Sequence, residues 1–149
     1  MPFFDLSDEH YMSEALSLAR EAAREGEIPV GAVVVSQGRI IARAKNATER
    51  LNDVTAHAEI LSITAASDYL GSKYLNNCTL FVTLEPCLMC AGALYWSQIG
   101  RIVFGAPDEK RGYRRMKTSV LHPKTLVQGG VLEEECKETL LKFFNDLRT

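Results

Sequence analysis

The sequence lacks the features that mark membrane, repetitive or multidomain proteins. Its 149 residues contain no run of 18 apolar residues, so we do not expect a membrane-spanning helix. No internal repeat and no linker rich in Pro, Gly or Ser divides the chain, so we expect one domain over residues 1–149. The first ten residues, MPFFDLSDEH, have no positive segment before an apolar one, which argues against secretion and favours the cytoplasm.

The sequence also has a small net charge and few cysteines. The net charge is −2, so any contact with nucleic acid requires a local basic patch. Of the four cysteines, Cys78 and Cys136 lie in apolar stretches and are typical core residues. Cys87 and Cys90 form a C-x-x-C pair. An intracellular chain of this size does not need disulfides, so the pair requires another explanation.

Alternating helices and strands are predicted along the chain. Ser7 is expected to cap a first helix, two β-branched runs around QG predict a hairpin, and Thr55 is expected to cap a second helix. CTLFVTL and RIVFG are typical of buried strands, and TLVQGGVL of a short edge strand. The last helix should bury an apolar face made of Leu132, Cys136, Leu140, Phe143, Phe144 and Leu147. This order predicts an α/β fold, a three-layer α/β/α sandwich with a mixed central sheet of about five strands and an antiparallel first pair.

The C-x-x-C pair is predicted to bind a metal ion. Cys87 and Cys90 are three apart after Pro86, so they share a face of a first helical turn, where unpaired amides favour thiolates. Two adjacent thiolates suit zinc. Of the three histidines, His57 is the best further ligand, because its helix should begin at the same edge of the sheet. Three protein ligands leave a fourth position for water, which indicates catalysis.

Glu59 is predicted to be the general base of that site. At the first turn of a helix, a glutamate two residues after a ligand can reach the same point and move protons between water and substrate. Each residue alone has a simpler interpretation, such as a core histidine, a solvated glutamate, a redox C-x-x-C or half of a structural zinc site. Together, H-x-E followed by P-C-x-x-C is the known signature of zinc deaminases that act on nucleobases.

On these motifs the chain resembles the cytidine-deaminase-like superfamily and, within it, the bacterial tRNA-specific adenosine deaminases, which form inosine at the anticodon wobble position. The similarity covers nearly the whole chain and is carried by IPVGAVVV, TAHAEI, TLFVTLEPCLMCAGA, IGRIVFGA and a terminal FF-LR. The resemblance implies a cytidine-deaminase-like fold, one Zn²⁺ per chain held by His57, Cys87 and Cys90, and a homodimer. The substrate that it implies is the anticodon stem-loop of tRNA.

Three substrate contacts are implied by the resemblance. Asn46 would hydrogen-bond a flipped base, the backbone of Ala58 would contact the base edge, and Asp108 would approach a ribose hydroxyl. An amide donates and accepts as a purine edge requires, and a carboxylate that accepts from a 2′-hydroxyl favours RNA over DNA. In the simpler interpretation, Asn46 caps a turn and Asp108 is an ordinary loop acid.

A basic segment, residues 108–124, gives separate support for RNA. It holds six cations and two acids, a local excess of +4 in a chain of net charge −2. Tyr113 lies among the cations and is expected to stack on a base. We expect phosphate contacts from Lys110, Arg111, Arg114, Arg115 and Lys117, with a merely solvated loop as the alternative.

Two features keep other substrates open. Tyr95 and Trp96 are similar to a YW pair in guanine deaminases, and residues 111–125 lack the Gly/Ser-rich stretch that is usual in the tRNA enzymes. The alternative enzyme is a free nucleobase or nucleotide deaminase that acts on guanine or on a cytosine compound such as deoxycytidylate. An alternative of another class is a zinc-stabilised binding module without catalysis.

Overall fold

A computed structural model of the protein describes residues 6–148. Residues 1–5, on which part of the argument against secretion depends, lie outside the described residues. None of the helices within residues 6–148 has the length and apolar content that crossing a bilayer requires. The elements are α1 (Asp8–Arg24), β1 (Gly31–Ser36), β2 (Arg39–Lys45), α2 (Ala58–Leu70), β3 (Cys78–Leu84), α3 (Leu88–Ser97), β4 (Arg101–Ala106), β5 (Leu126–Gln128) and α4 (Glu133–Leu147).

The five strands form one mixed sheet in the order β2-β1-β3-β4-β5. Strand β1 is antiparallel to both of its neighbours, whereas β3, β4 and β5 are parallel. Gln37 and Gly38 join β1 to β2 with φ angles of 51° and 74°, as a tight two-residue hairpin turn requires. The predicted mixed sheet and its antiparallel first pair are therefore confirmed.

Helices cover both faces of this sheet. Successive residues of β1 face opposite sides, so Val34 packs in one apolar cluster and Val33 in the other. The first cluster includes Leu94 of α3 and residues of α2. The second includes Met12 of α1 and Cys136 of α4. This arrangement confirms the three-layer sandwich.

Helix α4 is more exposed than the sequence predicts. Of its expected apolar face only Cys136 is buried, while Phe144 is 39% exposed and Leu147 is 66% exposed. The difference arises because only the first turns of α4 pack on the sheet. Its later turns line two surface grooves, one beside α1 and one beside residues 107–111.

The strand directions place several loops at one edge of the sheet. Gly31 at the start of β1 pairs with Lys45 at the end of β2, and the end of β3 lies beside the end of β4 through Leu84 and Ala106. The segments that follow β2, β3 and β4 therefore leave the sheet on the same side. They lead to the N-termini of α2 and α3 and to the basic segment.

Candidate active site

Two of the predicted metal ligands occupy the residue just before a helix. His57 precedes α2 with φ −76° and ψ 153°, and Cys87 precedes α3 with φ −73° and ψ 173°. The prediction that Thr55 caps α2 is wrong. Its N–H and hydroxyl both donate to Asp53 Oδ1, at 2.8 and 2.7 Å, and this turn leaves the position before α2 to His57.

The three predicted ligand atoms lie close together. His57 Nδ1 is 3.7 Å from Cys87 Sγ and 3.5 Å from Cys90 Sγ, and all three atoms lie within 4.8 Å of one another. Cys90 is buried, whereas His57 and Cys87 are partly accessible from the cavity side. This group could hold a metal ion with part of its coordination sphere open.

The thiols of Cys87 and Cys90 have pKa values shifted in opposite directions. The Cys90 thiol donates to the Cys87 sulfur and lowers the pKa of Cys87 to about 4, against the opposing effect of burial. The same hydrogen bond, together with burial, raises the pKa of Cys90. Contact with Cys87 also raises the pKa of His57, although burial opposes this shift. A thiolate is thus available at the site, and thiolate is the form of cysteine that binds metals.

Glu59 lies in the first turn of α2 and is only 4% exposed. Burial raises the pKa of its carboxyl to about 7, although its own backbone N–H and the neighbouring His57 act in the opposite direction. A carboxyl group with such a pKa can both accept and release a proton near neutral pH. It therefore has the properties that a proton carrier at this site requires.

These residues face a cavity of about 140 Å³. Its size is close to that of an engineered cavity that accepts one benzene ring, about 150 Å³, so it has room for an aromatic ring. Asn46 lies in its wall, 6% exposed, and its Nδ2 donates to the carbonyl of Ile28 at 3.2 Å. Its buried Oδ1 has no hydrogen-bond partner among the described residues. Its position in the cavity wall leaves this acceptor available to a donor from a ligand.

Ala58 and Asp108 also line this cavity. Asp108 Oδ1 accepts from the backbone N–H groups of Lys110 at 3.2 Å and Arg111 at 3.0 Å. Arg111 is the member of the basic segment that lines the cavity itself. The structure therefore brings together the predicted base contacts and one of the predicted cations.

The rest of the basic segment differs from the sequence prediction. Tyr113 is buried, 8% exposed, so it does not offer an open face on which a base could stack. The Arg114 guanidinium bonds Glu85 Oε1 at 3.0 Å and lies 4.8 Å from the ring centre of Phe104. Arg115 donates to the carbonyl of Lys110. Arg114 and Arg115 thus have partners within the protein, while no carboxylate of residues 6–148 forms an ion pair with Lys110, Arg111 or Lys117.

Two buried glutamates beside the site were not predicted. Glu85 is 3% exposed, lines the cavity and accepts hydrogen bonds from residues 108 and 114. Glu27 is 1% exposed and accepts from the backbone N–H groups of Glu49 and Arg50 at 3.0 and 2.8 Å. The available signal was an acid directly beside apolar residues, Glu27 in EGEIPV and Glu85 in VTLEPC.

Comparison with known proteins identifies a family. A family model described as the cytidine and deoxycytidylate deaminase zinc-binding region matches residues 6–106. A curated relative from Bacillus subtilis (strain 168), named tRNA-specific adenosine deaminase, is 47% identical over 146 residues and covers 95% of this chain and 91% of its own length.

Solved structures agree with this match. A structure from a study of A-to-I editing by tRNA:A34 deaminases at the wobble position superimposes with a TM-score of 0.83 at 45% identity, covering 88% of this chain and 99% of the other. The guanine deaminase of Bacillus subtilis gives a TM-score of 0.66 at 39% identity, with 68% and 66% covered.

Proposed function

Because the chain belongs to the cytidine and deoxycytidylate deaminase zinc-binding family, we propose that it hydrolyses adenosine to inosine in tRNA, at the anticodon wobble position. The observation that carries the proposal is the buried carboxyl group of Glu59, which lines the same cavity as the predicted metal ligands His57 and Cys87. The names of the relatives supply the substrate class.

Zinc fits the ligand group. A tetrahedral ion with bonds of about 2.0–2.3 Å to nitrogen and sulfur requires ligand atoms about 3.6 Å apart. The distances from His57 Nδ1 to the two sulfur atoms are 3.7 and 3.5 Å. One imidazole and two thiolates are a donor set of intermediate softness, which suits zinc. We therefore assign one Zn²⁺ per chain to His57, Cys87 and Cys90.

The reaction adds water and releases ammonia. When bound, zinc supplies a Lewis acid that lowers the pKa of a water molecule. Glu59 accepts one proton from the attacking water and passes it to the ring nitrogen, and then accepts the remaining hydroxyl proton and passes it to the leaving amino group. The C6–O bond forms and the C6–N bond breaks, so that adenosine and water give inosine and ammonia. A carboxyl group with a pKa near 7 can perform both transfers without an external buffer.

Asn46, Ala58 and Asp108 hold the nucleoside in this proposal. The donation from Asn46 Nδ2 to Ile28 fixes the amide so that Oδ1 is the atom left to accept from the substrate. Asp108 has one oxygen occupied by the backbone and a second oxygen for a ribose hydroxyl. The backbone of Ala58 contacts the base edge at the start of α2.

Lys110, Arg111 and Lys117 are our choice for phosphate contacts, because their cations are exposed and Arg111 adjoins the cavity. Arg114 and Arg115 contribute less, since their guanidinium groups have partners in the protein. Binding should then weaken strongly as salt is raised, because each phosphate contact releases counterions.

We further propose a cytoplasmic homodimer formed through α3. Four large apolar residues of this helix are exposed by 39–76%: Leu88, Met89, Tyr95 and Trp96. A single two-fold contact would cover this surface on both copies at once. Sedimentation of the wild-type protein at micromolar concentration checks the proposal, and a single 16.6 kDa species would contradict it.

Guanine deamination is the second candidate, favoured by the 39% identity to a guanine deaminase. The deciding assay incubates the zinc-loaded protein with an anticodon stem-loop bearing a wobble adenosine, with guanine and with deoxycytidylate. Inosine is the expected product; xanthine or deoxyuridylate without inosine would overturn the proposal.

Glu59→Gln should keep its zinc and lose about 10²–10⁴-fold in kcat, while the exposed Glu138→Gln serves as the matched control. A Glu59→Gln variant as active as the control would exclude the role of Glu59.

A further inference from the structure

Glu85 follows β3 directly, and its side chain is only 2% exposed. Its Oε1 accepts from the backbone N–H of Asp108 at 3.1 Å and from the guanidinium of Arg114 at 3.0 Å. Its Oε2 accepts from the backbone N–H of Arg114, also at 3.0 Å. Both oxygens of one buried carboxylate therefore bind the two ends of the 108–114 segment.

Backbone contacts join the same two stretches of chain. The N–H of Tyr113 donates to the carbonyl of Pro86 at 2.9 Å, and Cys87 forms an antiparallel bridge with Gly112. A Cβ at Gly112 would lie 2.1 Å from Glu85 Oε2 and 2.5 Å from the carbonyl oxygen of Asp108, so only glycine fits there. The residues that lead into the metal ligand Cys87 are thus fastened to the 108–114 segment.

This segment carries two of the residues that line the catalytic cavity, Asp108 and Arg111. The direction of the Asp108 carboxylate follows the local backbone, because its Oδ1 is held by the N–H groups of Lys110 and Arg111. A displacement of the segment would therefore move the Asp108 carboxylate relative to the metal ligands. Glu85 is the side chain that connects the two.

We propose that Glu85 is a positioning residue that sets the distance between the metal-binding end of the cavity and Asp108, and so sets the preference for a ribose over a deoxyribose at the target nucleotide. This role rests on the proposed function, in which Asp108 accepts from the ribose hydroxyl. Both oxygens of Glu85 are occupied by donors of the 108–114 segment, so in this role Glu85 acts through that segment rather than by direct contact with the substrate.

Glu85→Gln tests the role with a change of almost no volume. The amide places a donor against the N–H of Asp108 or that of Arg114, whichever way the side chain is turned. Since a misplacement of about 1 Å can cost 10²-fold, we expect kcat/KM for the stem-loop with a wobble adenosine to fall about 10²-fold. The stem-loop with 2′-deoxyadenosine at that position should lose much less, so that the ribose preference shrinks.

A double-mutant cycle separates positioning from general damage. Asp108→Asn should lower activity strongly in the wild-type background and little in the Glu85→Gln background, because Glu85 acts through the position of Asp108. Effects that multiply, together with an unchanged ribose preference, would overturn the proposal. If Glu85→Gln does not fold, Arg114→Gln removes one donor and leaves both backbone bonds, and it should shift the ribose preference in the same direction by a smaller factor. A phosphate contact by Arg114 would instead affect both substrates equally.

Hydrogen exchange decides the role without any assay of activity. In Glu85→Gln the amides of Gly112 and Tyr113, which do not bond Glu85, should lose protection together with those of Asp108 and Arg114. Glu27→Gln, a matched loss of a buried carboxylate, should affect residues 49 and 50 instead. Unchanged protection at residues 108–114 would overturn the proposal. A wild-type protein that makes no inosine would overturn the proposed function instead, and the exchange experiment would still decide the role of Glu85.

Discussion

Gly31→Ala should destabilise the protein by forcing α1 away from the sheet. A Cβ at Gly31 would lie 2.0 Å from the carbonyl oxygen of Ala15, 2.7 Å from the nitrogen of Ala19 and 2.9 Å from Cβ of Leu18. An ordinary contact of 3.4 Å exceeds the shortest of these distances by 1.4 Å, and the two nearest atoms belong to helix backbone. No side-chain rotation relieves such a contact, so the whole helix must shift.

The expected cost lies at the upper end of the range for overpacking, about 3 kcal/mol. The displacement also strains the bond from the Gly31 N–H to Thr83 Oγ1, which is 3.2 Å long. For a domain of this size, such a loss corresponds to a fall in melting temperature of about 6–12 °C. Urea denaturation of the zinc-loaded protein, followed by circular dichroism, measures the loss as a lower midpoint with an unchanged slope.

Gly92→Ala is the matched control, because a Cβ at this helical position meets no atom within 4 Å. Alanine inside a helix should stabilise it by roughly 0.5–1 kcal/mol, so the two substitutions are expected to have opposite signs. The free energy of unfolding of Gly31→Ala could instead lie within about 0.5 kcal/mol of the parent value, as for a neutral surface change. That result would show that close backbone contact at Gly31 is not required for α1 to pack on the sheet.

Three further predictions concern the cavity, the core and the basic segment. Gly112→Ala should lower kcat/KM about 10²-fold with a small change in melting temperature, because its Cβ displaces the 108–114 segment rather than the core; a variant with full activity would contradict this. Burial raises the pKa of Cys136 to about 12. The neutral thiol therefore contributes its full stability below pH 9, and this contribution is lost as the pH rises to 12. The loss in unfolding free energy is at most about 4 kcal/mol. Cys136→Ala should flatten the decrease in unfolding free energy over that range, and an equal slope for both proteins would refute the assignment. Lys110→Gln should reduce the slope of log affinity against log salt by about 1 for the stem-loop, whereas an unchanged slope would remove Lys110 from the phosphate contacts.

Local patterns predicted the fold because each depends on a few neighbouring residues. Ser7 caps α1 through the N–H of His10, and the turn at Gln37 and Gly38 gives the predicted hairpin. The mixed sheet and its antiparallel first pair were predicted, whereas the strand order and the antiparallel pairing of β1 with β3 were not. The alternation of strand and helix patterns is therefore sufficient to predict the three layers, even where a predicted cap is wrong, as at Thr55.

Predictions that depended on distant partners were less successful. Tyr113 looked like an exposed aromatic among cations, but the bond from its N–H to Pro86 turns the segment inward. Arg114 looked like a phosphate ligand, but a buried carboxylate 29 residues earlier engages its guanidinium. No role was predicted for Glu85, because its hydrogen-bond donors lie in residues 108 and 114, far along the chain from the strand that it follows. Sequence periodicity carries no information about such pairings.

The spacing of two between His57 and Glu59 has a simple structural explanation. Within a regular helix, residues two apart point about 200° away from each other, and the two side chains could not serve one cavity. His57, however, lies in extended backbone before α2, while Glu59 lies in its first turn. Cys87 repeats the arrangement before α3, with Cys90 inside its first turn. Moving either helix start back by one residue, so that His57 or Cys87 became helical, would turn a predicted ligand atom away from the group. The site therefore depends on where the two helices begin, and the turn from Asp53 to Thr55 helps to set that point for α2.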